Sequence, residues 1–125
     1  MPENRSHDMA QVLRQLNQRA AAKGSLVVTN DGMVVAGVME EEMRKDIVGA
    51  LSSFLISATV RCLKQGGIGS FGRMMMTATH GKVVIQSLRD YFLVVIADQF
   101  ADTESTLEAV TEAGQELRTL MQINV

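Results

Sequence analysis

The sequence is poor in the residues that build disulfides, metal sites and nucleic-acid surfaces. Its 125 residues include one cysteine, two histidines, one proline and no tryptophan. The single cysteine, Cys62, cannot form an intrachain disulfide, which is typical of proteins in a reducing compartment. A formal net charge of -2 is unlike the basic balance of nucleic-acid binders. We therefore expect a cytoplasmic protein without a metal, a cofactor or a nucleic-acid partner.

Long hydrophobic runs are also missing. The polar N-terminal stretch lacks the apolar core of a signal peptide, and the longest apolar run, Phe92 to Ala97, is too short to cross a bilayer. A composition of 46% hydrophobic and 21% charged residues is typical of a folded domain. The length suits one domain, which we place at residues 8–122 after a flexible segment, residues 1–7.

Hydrophobic periodicity and turn residues predict the element order αββαβββα. Asp8 is expected to cap the first helix and Gly24 to end it, and Asn30-Asp31-Gly32 is typical of a hairpin turn. The predicted elements are helices at 8–22, 40–65 and about 103–121, and strands near 25–29, 33–38, 70–78, 82–88 and 91–97.

The last strand, Phe92 to Ala97, is apolar at every position. A strand that does not alternate is covered on both faces, so we place it in the middle of its sheet. The prediction is an α+β fold in which a five-stranded antiparallel sheet lies between the long central helix and the two terminal helices.

The central helix carries two apolar stripes. At about 100° per residue, one broad arc contains Met43, Ile47, Val48, Ala50, Leu51, Phe54, Leu55, Ala58 and Cys62, and we expect it to cover the sheet. The second stripe contains Gly49, Ile56, Val60 and Leu63, flanked by Ser52 and Ser53. Its small residues would let another helix approach closely. The alternative is a helix buried on all sides.

Three candidate chemical sites fail on context. The glycine-rich stretch 66–72 follows a helix and opens a strand, whereas a phosphate loop has the reverse order. A cysteine on the apolar arc is expected to be buried and inert, which argues against pairing Cys62 with His80. The acidic run 40–42 is explained by the positive end of a helix dipole. No catalytic group of residues emerges, so we do not expect an enzyme.

The remaining signal is interaction surface. The third strand is apolar around Met74, Met75 and Met76, and it contains no proline and the single charge of Arg73. At a sheet edge such a strand invites pairing with another strand, which a symmetric homodimer would provide. The alternative is an interior strand filled with adaptable methionines.

Three stretches together resemble the Roadblock family of dynein light chain relatives, in particular its bacterial stand-alone members. They are the hairpin stretch GSLVVTNDGMVVAG, the long helix and the stretch FGRMMMTATHGKVVIQSLRDYFLVVIAD. The resemblance extends from about Met9 to Met121. It implies a homodimer in which third strands pair across the dyad and central helices pack together. It also implies a non-enzymatic protein that binds Ras-like GTPases or serves as a scaffold.

These expectations define candidate residues and three hypotheses. The dimer interface is predicted to contain Ile56, Val60, Leu63, Arg73, Met74, Met75 and Met76, and the partner-binding surface Arg44, Lys45, Ser52 and Ser53. The first hypothesis is a regulator of a small GTPase. The second is an adaptor in a cytoskeletal or signalling complex whose binding ignores the nucleotide. The third, a ligand sensor, would need polar groups that converge in a hollow core.

Overall fold

The computed structural model describes the backbone of residues 2–122 and the side chains of residues 7–122. The predicted order αββαβββα is confirmed. The helices are α1 (Pro2–Ala20), α2 (Lys45–Gln65) and α3 (Thr103–Gln122), and the strands are β1 (Ala22–Thr29), β2 (Val34–Met39), β3 (Arg73–Ala78), β4 (Gly81–Ser87) and β5 (Tyr91–Asp98).

The five strands form one antiparallel sheet with the order β2-β1-β5-β4-β3. β5 lies in the middle, as its unbroken apolar run predicts, and β2 and β3 are the edges. Phe92 and Val94 point into the core under α2, while Leu93 and Val95 point into the core under the other two helices. The alternation along a strand explains why all four positions are apolar.

The two faces of the sheet are covered to different depths. On one face α1 and α3 pack against each other and enclose a large core that includes Leu13, Leu16 and Leu117. On the other face α2 packs mainly on β1 and β2, over a smaller core around Leu26 and Ile56. Half-buried side chains surround that smaller core, so this face is the less completely covered one.

The hairpin between β1 and β2 closes at the predicted turn. Gly32 has a positive φ of 88°, which glycine adopts without steric cost. Its backbone N–H donates to the carbonyl of Thr29 at 3.1 Å, and the backbone N–H of Thr29 donates to the carbonyl of Met33 at 3.0 Å. The Thr29 hydroxyl also bonds to the Asp31 carboxylate.

Both ends of α1 differ from the prediction. The helix begins at Pro2, ahead of the expected cap at Asp8, and whether residues 1–7 are flexible stays a prediction. It ends at Ala20, and Ala21, with a φ of 50°, occupies the left-handed position that Gly24 was expected to fill. Gly24 instead lies inside β1, where a Cβ would meet the side chain of Met39.

The start of α2 also corrects the prediction. Residues 40–42 lie in a turn before the helix, which begins at Lys45, so the helix dipole does not account for this acidic run. Three glutamates suit a first helical turn, which is why the sequence favoured a helix here. The prediction was wrong because this stretch still belongs to the bend that leads from β2 to α2. The backbone N–H of Glu40 remains bonded to the carbonyl of Lys23 at 3.1 Å.

Candidate interaction surface

The most exposed apolar surface on α2 is a stripe that points away from the sheet. Ile47, Leu51 and Phe54 are 47%, 61% and 72% exposed. Their spacing of four and three residues places them in one line along the helix. We call these three residues the outer stripe of α2. Large apolar side chains gathered at this exposure are typical of an interaction site.

The prediction for the two stripes of α2 was wrong in its main part. The fully buried residues belong to the second stripe and its flank, and of the first arc only Val48 and Leu55 pack against the core. The buried residues of the helix are Gly49, Ser52 and Ile56. A Cβ on Gly49 would stand 2.9 Å from the carbonyl oxygen of Gly32. The small residues therefore allow a close approach to the β1–β2 hairpin rather than to a second helix, which leaves the bulky outer stripe in solvent.

This packing removes three residues from the predicted binding surfaces. Ile56 is 2% exposed and lies in the core, so it is not available to a dimer partner. Ser52 is buried, and the Ser53 hydroxyl donates to the carbonyl of Asn30 at 2.7 Å. Both serines lie on the side of α2 that meets the hairpin. A signal for this arrangement was present in the spacing of Gly49 and Ser52, where small side chains favour close contact.

Arg44 and Lys45 do lie on the surface, at the start of α2. Arg44 forms an ion pair with Asp46 at 3.1 Å, and both side chains are largely exposed. The hydrogen bond from Arg44 lowers the pKa of the Asp46 carboxyl below its ordinary value. The Lys45 ammonium donates to the carbonyl of Gly37 at 3.1 Å, which ties the start of the helix to β2. Their role in partner binding stays a prediction.

The third strand, β3, is an edge strand, as its composition suggested. Met74 packs partly against the core under α2, and alternation places Met76 on that face and Met75 on the other. Met75 and Met76 are 41% and 38% exposed. Arg73 donates to the hydroxyl of Thr111 on α3 at 3.1 Å. The free backbone edge and the exposed methionines form a surface on which a further strand could pair.

The remaining members of the predicted dimer interface are Val60, which is exposed, and Leu63, which is half-buried. Cys62 was expected to be buried, but it lies on the solvent side of α2 and is exposed. Among the residues that the structure describes, no group of three or more metal-ligating side chains is found. The glycine-rich stretch links the C-terminus of α2 to β3, which is the context that excluded a phosphate loop.

Among the residues that the structure describes, α2 is the one helix long and apolar enough to cross a membrane, by length and composition only. This is weak evidence for a membrane span, because core helices of globular proteins have the same length and composition. Here α2 packs on β1 and β2 through Gly49, Ser52 and Ile56. Its apolar character is therefore divided between a contact with the sheet and the outer stripe.

Comparison with known proteins identifies the family. The Roadblock/LC7 domain matches residues 9–97, which is more than half of the chain. The chain belongs to the Roadblock/LC7 family. Uncharacterized proteins MJ0310 and MJ0714 of Methanocaldococcus jannaschii are 33% and 32% identical to it over 87 residues. Those matches cover 70% of this chain and 76% and 74% of the two relatives.

Several solved structures share the fold. MglB of Myxococcus xanthus superimposes with a TM-score of 0.90 at 17% identity, covering 95% of this chain and 91% of MglB. The gliding protein MglB of Thermus thermophilus gives 0.84 at 16% identity, with 93% and 90% covered. A Roadblock/LC7 domain from Streptomyces avermitilis gives 0.83 at 17% identity, with 90% and 97% covered. Helix α3 lies beyond the family match, and the structural matches to MglB extend over most of the chain.

Proposed function

We propose that this Roadblock/LC7 protein is a homodimer that binds a small Ras-like GTPase and regulates it without catalysing a reaction itself. The observation that carries the proposal is the outer stripe of α2, formed by Ile47, Leu51 and Phe54. Its exposure leaves a large apolar surface without a covering element. Membership of the Roadblock/LC7 family and the likeness to MglB support a GTPase as the partner.

The edge strand β3 supports the dimer. Two copies of β3 that pair antiparallel across a dyad would extend the five-stranded sheet into a continuous one and cover the exposed edge. The partner's strands would lie beside the first five strands, in the same plane. They would not add a layer above α2. In a dimer built through β3 alone, the outer stripe is separate from the dimer contact and stays free for another protein.

The regulatory effect follows from differential affinity. A protein without catalytic groups can change the state of a GTPase only by binding one conformation of its switch segments more tightly than another. The outer stripe offers the apolar contact, and the charged residues Arg44 and Lys45 lie at the N-terminal end of the same helix. A dimer presents two such helices, so one GTPase could contact both.

The partner surface is tested by comparing Phe54→Glu with Phe100→Glu. Both phenylalanines are strongly exposed, at 72% and 84%, but Phe100 lies in the turn between β5 and α3. The wild type and both variants are used to capture partners from lysate with a non-hydrolysable GTP analogue or with GDP. We expect a Ras-like GTPase to be retained with the analogue by the wild type and Phe100→Glu, and lost with Phe54→Glu.

The dimer is tested separately by Met75→Lys, which would place like charges close together across the dyad of a β3 pair. Light scattering after size exclusion should show a shift from the dimer toward the monomer. Thr79→Lys, in the turn after β3, is the matched control and should stay dimeric. A wild-type monomer, or an unchanged Met75→Lys dimer, would contradict pairing through β3.

The second candidate function is an adaptor dimer that links larger proteins. It uses the same outer stripe and the same edge strand. Capture of identical partners with the GTP analogue and with GDP, none of them a GTPase, would favour the adaptor and contradict the regulator.

A further inference from the structure

A cleft of about 610 Å³ lies at one end of the sheet, between the C-terminal half of α2 and the turn that joins β4 to β5. Its floor is apolar and includes Ile56, Phe71 and Phe92, of which Ile56 and Phe92 are buried in the core. The rings of Phe71 and Phe92 stand 5.8 Å apart and are tilted by 56°. This size is within the range of small-molecule sites, and the floor offers aromatic surface.

The rim of the cleft is polar and positively charged. Arg61 projects from α2 and Arg89 from the β4–β5 turn, and both line the cleft. Hydroxyl groups of Ser57, Ser70 and Ser87 lie on the same rim, and no carboxylate is among the described lining residues. The ion pairs found within residues 7–122 are Arg19–Glu112 and Arg44–Asp46, so neither rim arginine is neutralised by one. Guanidinium groups with nearby hydroxyls favour phosphate or carboxylate oxygens.

Arg89 occupies a backbone conformation that glycine normally fills. Its φ is 81°, in the left-handed region, and it is the first of the two residues enclosed by the hydrogen bond from the backbone N–H of Leu88 to the carbonyl of Tyr91. A turn of this kind prefers glycine at that position. A residue with a side chain costs about 1–2 kcal/mol there. Such strain is concentrated at functional sites, and here it accompanies a cationic side chain that lines the cleft.

We propose that this cleft binds a small organic anion that carries a phosphate or carboxylate on a planar apolar ring. The ring packs against Phe71 over the apolar floor, and the anionic group lies between the guanidinium groups of Arg61 and Arg89. The lining residues come mainly from α2, from the stretch before β3 and from the β4–β5 turn, and Val60 among them also belongs to the predicted dimer interface. The cleft lies at the end of the sheet and requires no GTPase, so it is independent of the function proposed above.

The probe for this site is 1-naphthyl phosphate, measured by isothermal titration calorimetry on the full chain. Inorganic phosphate alone and 1-naphthol alone separate the anionic part from the apolar part. We expect the combined probe to bind at least about tenfold more tightly than either part, since each part uses only half of the cleft. Equal binding of 1-naphthol would show adsorption to exposed apolar surface, and equal binding of phosphate would show an anion site without a ring; either result overturns the proposal.

Two arginine substitutions locate the probe. Arg61→Gln and Arg89→Gln should each weaken binding of 1-naphthyl phosphate about tenfold, which is the scale of one charge-assisted hydrogen bond. Arg14→Gln is the matched control, since Arg14 is exposed on α1 and its guanidinium donates to Gln11. Unchanged affinity in both cleft variants, or equal loss in the control, contradicts the site.

The strain at Arg89 allows a sharper comparison. Arg89→Gly should raise the melting temperature, because glycine accepts the left-handed backbone, and at the same time weaken binding of the probe. Ala21→Gly relieves the same strain at the end of α1 and should raise the melting temperature with unchanged affinity. A tighter or unchanged complex with Arg89→Gly would show that the strained arginine does not serve the ligand.

Discussion

Gly49 of α2 lies directly against Gly32 of the β1–β2 hairpin, so that a Cβ at position 49 would stand 2.9 Å from the carbonyl oxygen of residue 32. The neighbour is backbone, which cannot rotate away as a side chain can. This contact fixes which side of α2 meets the sheet. It therefore also decides that Ile47, Leu51 and Phe54 face solvent.

Gly49→Ala tests that contact. In an open helix, alanine would be favoured over glycine by about 1 kcal/mol. Here we expect the opposite sign, a loss of about 1–3 kcal/mol from overpacking against the hairpin. Urea unfolding monitored by circular dichroism gives the free energy. Gly72→Ala is the control, because a Cβ there meets nothing within 4 Å; a more stable Gly49→Ala variant would refute the tight contact.

Ile56 and Val60 test the corrected orientation of α2, because they lie one turn apart but differ in exposure, 2% against 40%. Ile56→Ala should cost about 2–5 kcal/mol, as other buried isoleucines do. Val60→Ala should cost no more than about 0.5 kcal/mol, as is usual at the surface. Thermal unfolding of the two variants decides the point. Similar losses in the two variants would mean that α2 is rotated, so that Ile56 and Val60 do not differ in burial.

Asn17 and Ser25 form a partly buried polar link between α1 and the sheet. The Ser25 hydroxyl, which is fully buried, donates to the Asn17 side-chain oxygen at 2.8 Å, and the Asn17 amide donates to the carbonyl of Val38 at 3.0 Å. Asn17→Ala should destabilise by about 1–3 kcal/mol, because it leaves the buried Ser25 hydroxyl without its hydrogen-bond acceptor.

The double variant Asn17→Ala/Ser25→Ala should lose less stability than the sum of the two single variants, since neither partner is then left alone. Chemical unfolding of all four proteins completes this cycle. Strict additivity would show that the two side chains contribute independently and that their hydrogen bond does not matter.

Asp102 makes the N-terminus of α3 sensitive to pH. Its carboxylate accepts hydrogen bonds from the backbone N–H of Ser105 at 2.9 Å and from the Ser105 hydroxyl at 2.8 Å, and the backbone bond is the main reason why the pKa of Asp102 is lowered. A lowered pKa in the folded state means that the carboxylate stabilises the fold above its ordinary pKa. That stabilisation is lost as the pH falls through the lower, folded value.

Asp102→Asn retains an acceptor oxygen but does not titrate. We therefore expect the wild type to be the more stable protein at neutral pH, and the difference to shrink as the solution is acidified. Asp46, whose pKa is also lowered, is present in both proteins and cancels from the comparison. Melting temperatures across the acid range give the result, and a difference that stays constant with pH would contradict this role of the charge.

Several elements were predictable because a local pattern is enough to define them. The turn Asn30-Asp31-Gly32 is typical of a hairpin because its glycine readily adopts a positive φ, and Gly32 does so here. The apolar run of β5 required cover on both faces, which only a central strand receives. The methionines of β3 were compatible with an edge or an interior position, and pairing with β4 alone made β3 an edge.

The sites were harder to predict, because a linear pattern does not show which surface is already occupied. The cleft with Arg61 and Arg89 joins residues from a helix and a distant turn, and neither arginine has a local signature. Ser52 and Ser53 suggested an open polar surface, yet the hairpin lies against them. Arg89 in a left-handed conformation could not be anticipated, since the sequence places no glycine in that turn.

By itself the sequence determined the order of the elements and the central place of β5, because each depends on periodicity or on residues close in the chain. Only the tertiary structure decided the orientation of α2. Both of its stripes are apolar, so hydrophobicity alone favoured the bulkier one as the core. The approach of Gly49 to Gly32 favours the other, and it depends on where the hairpin lies in three dimensions.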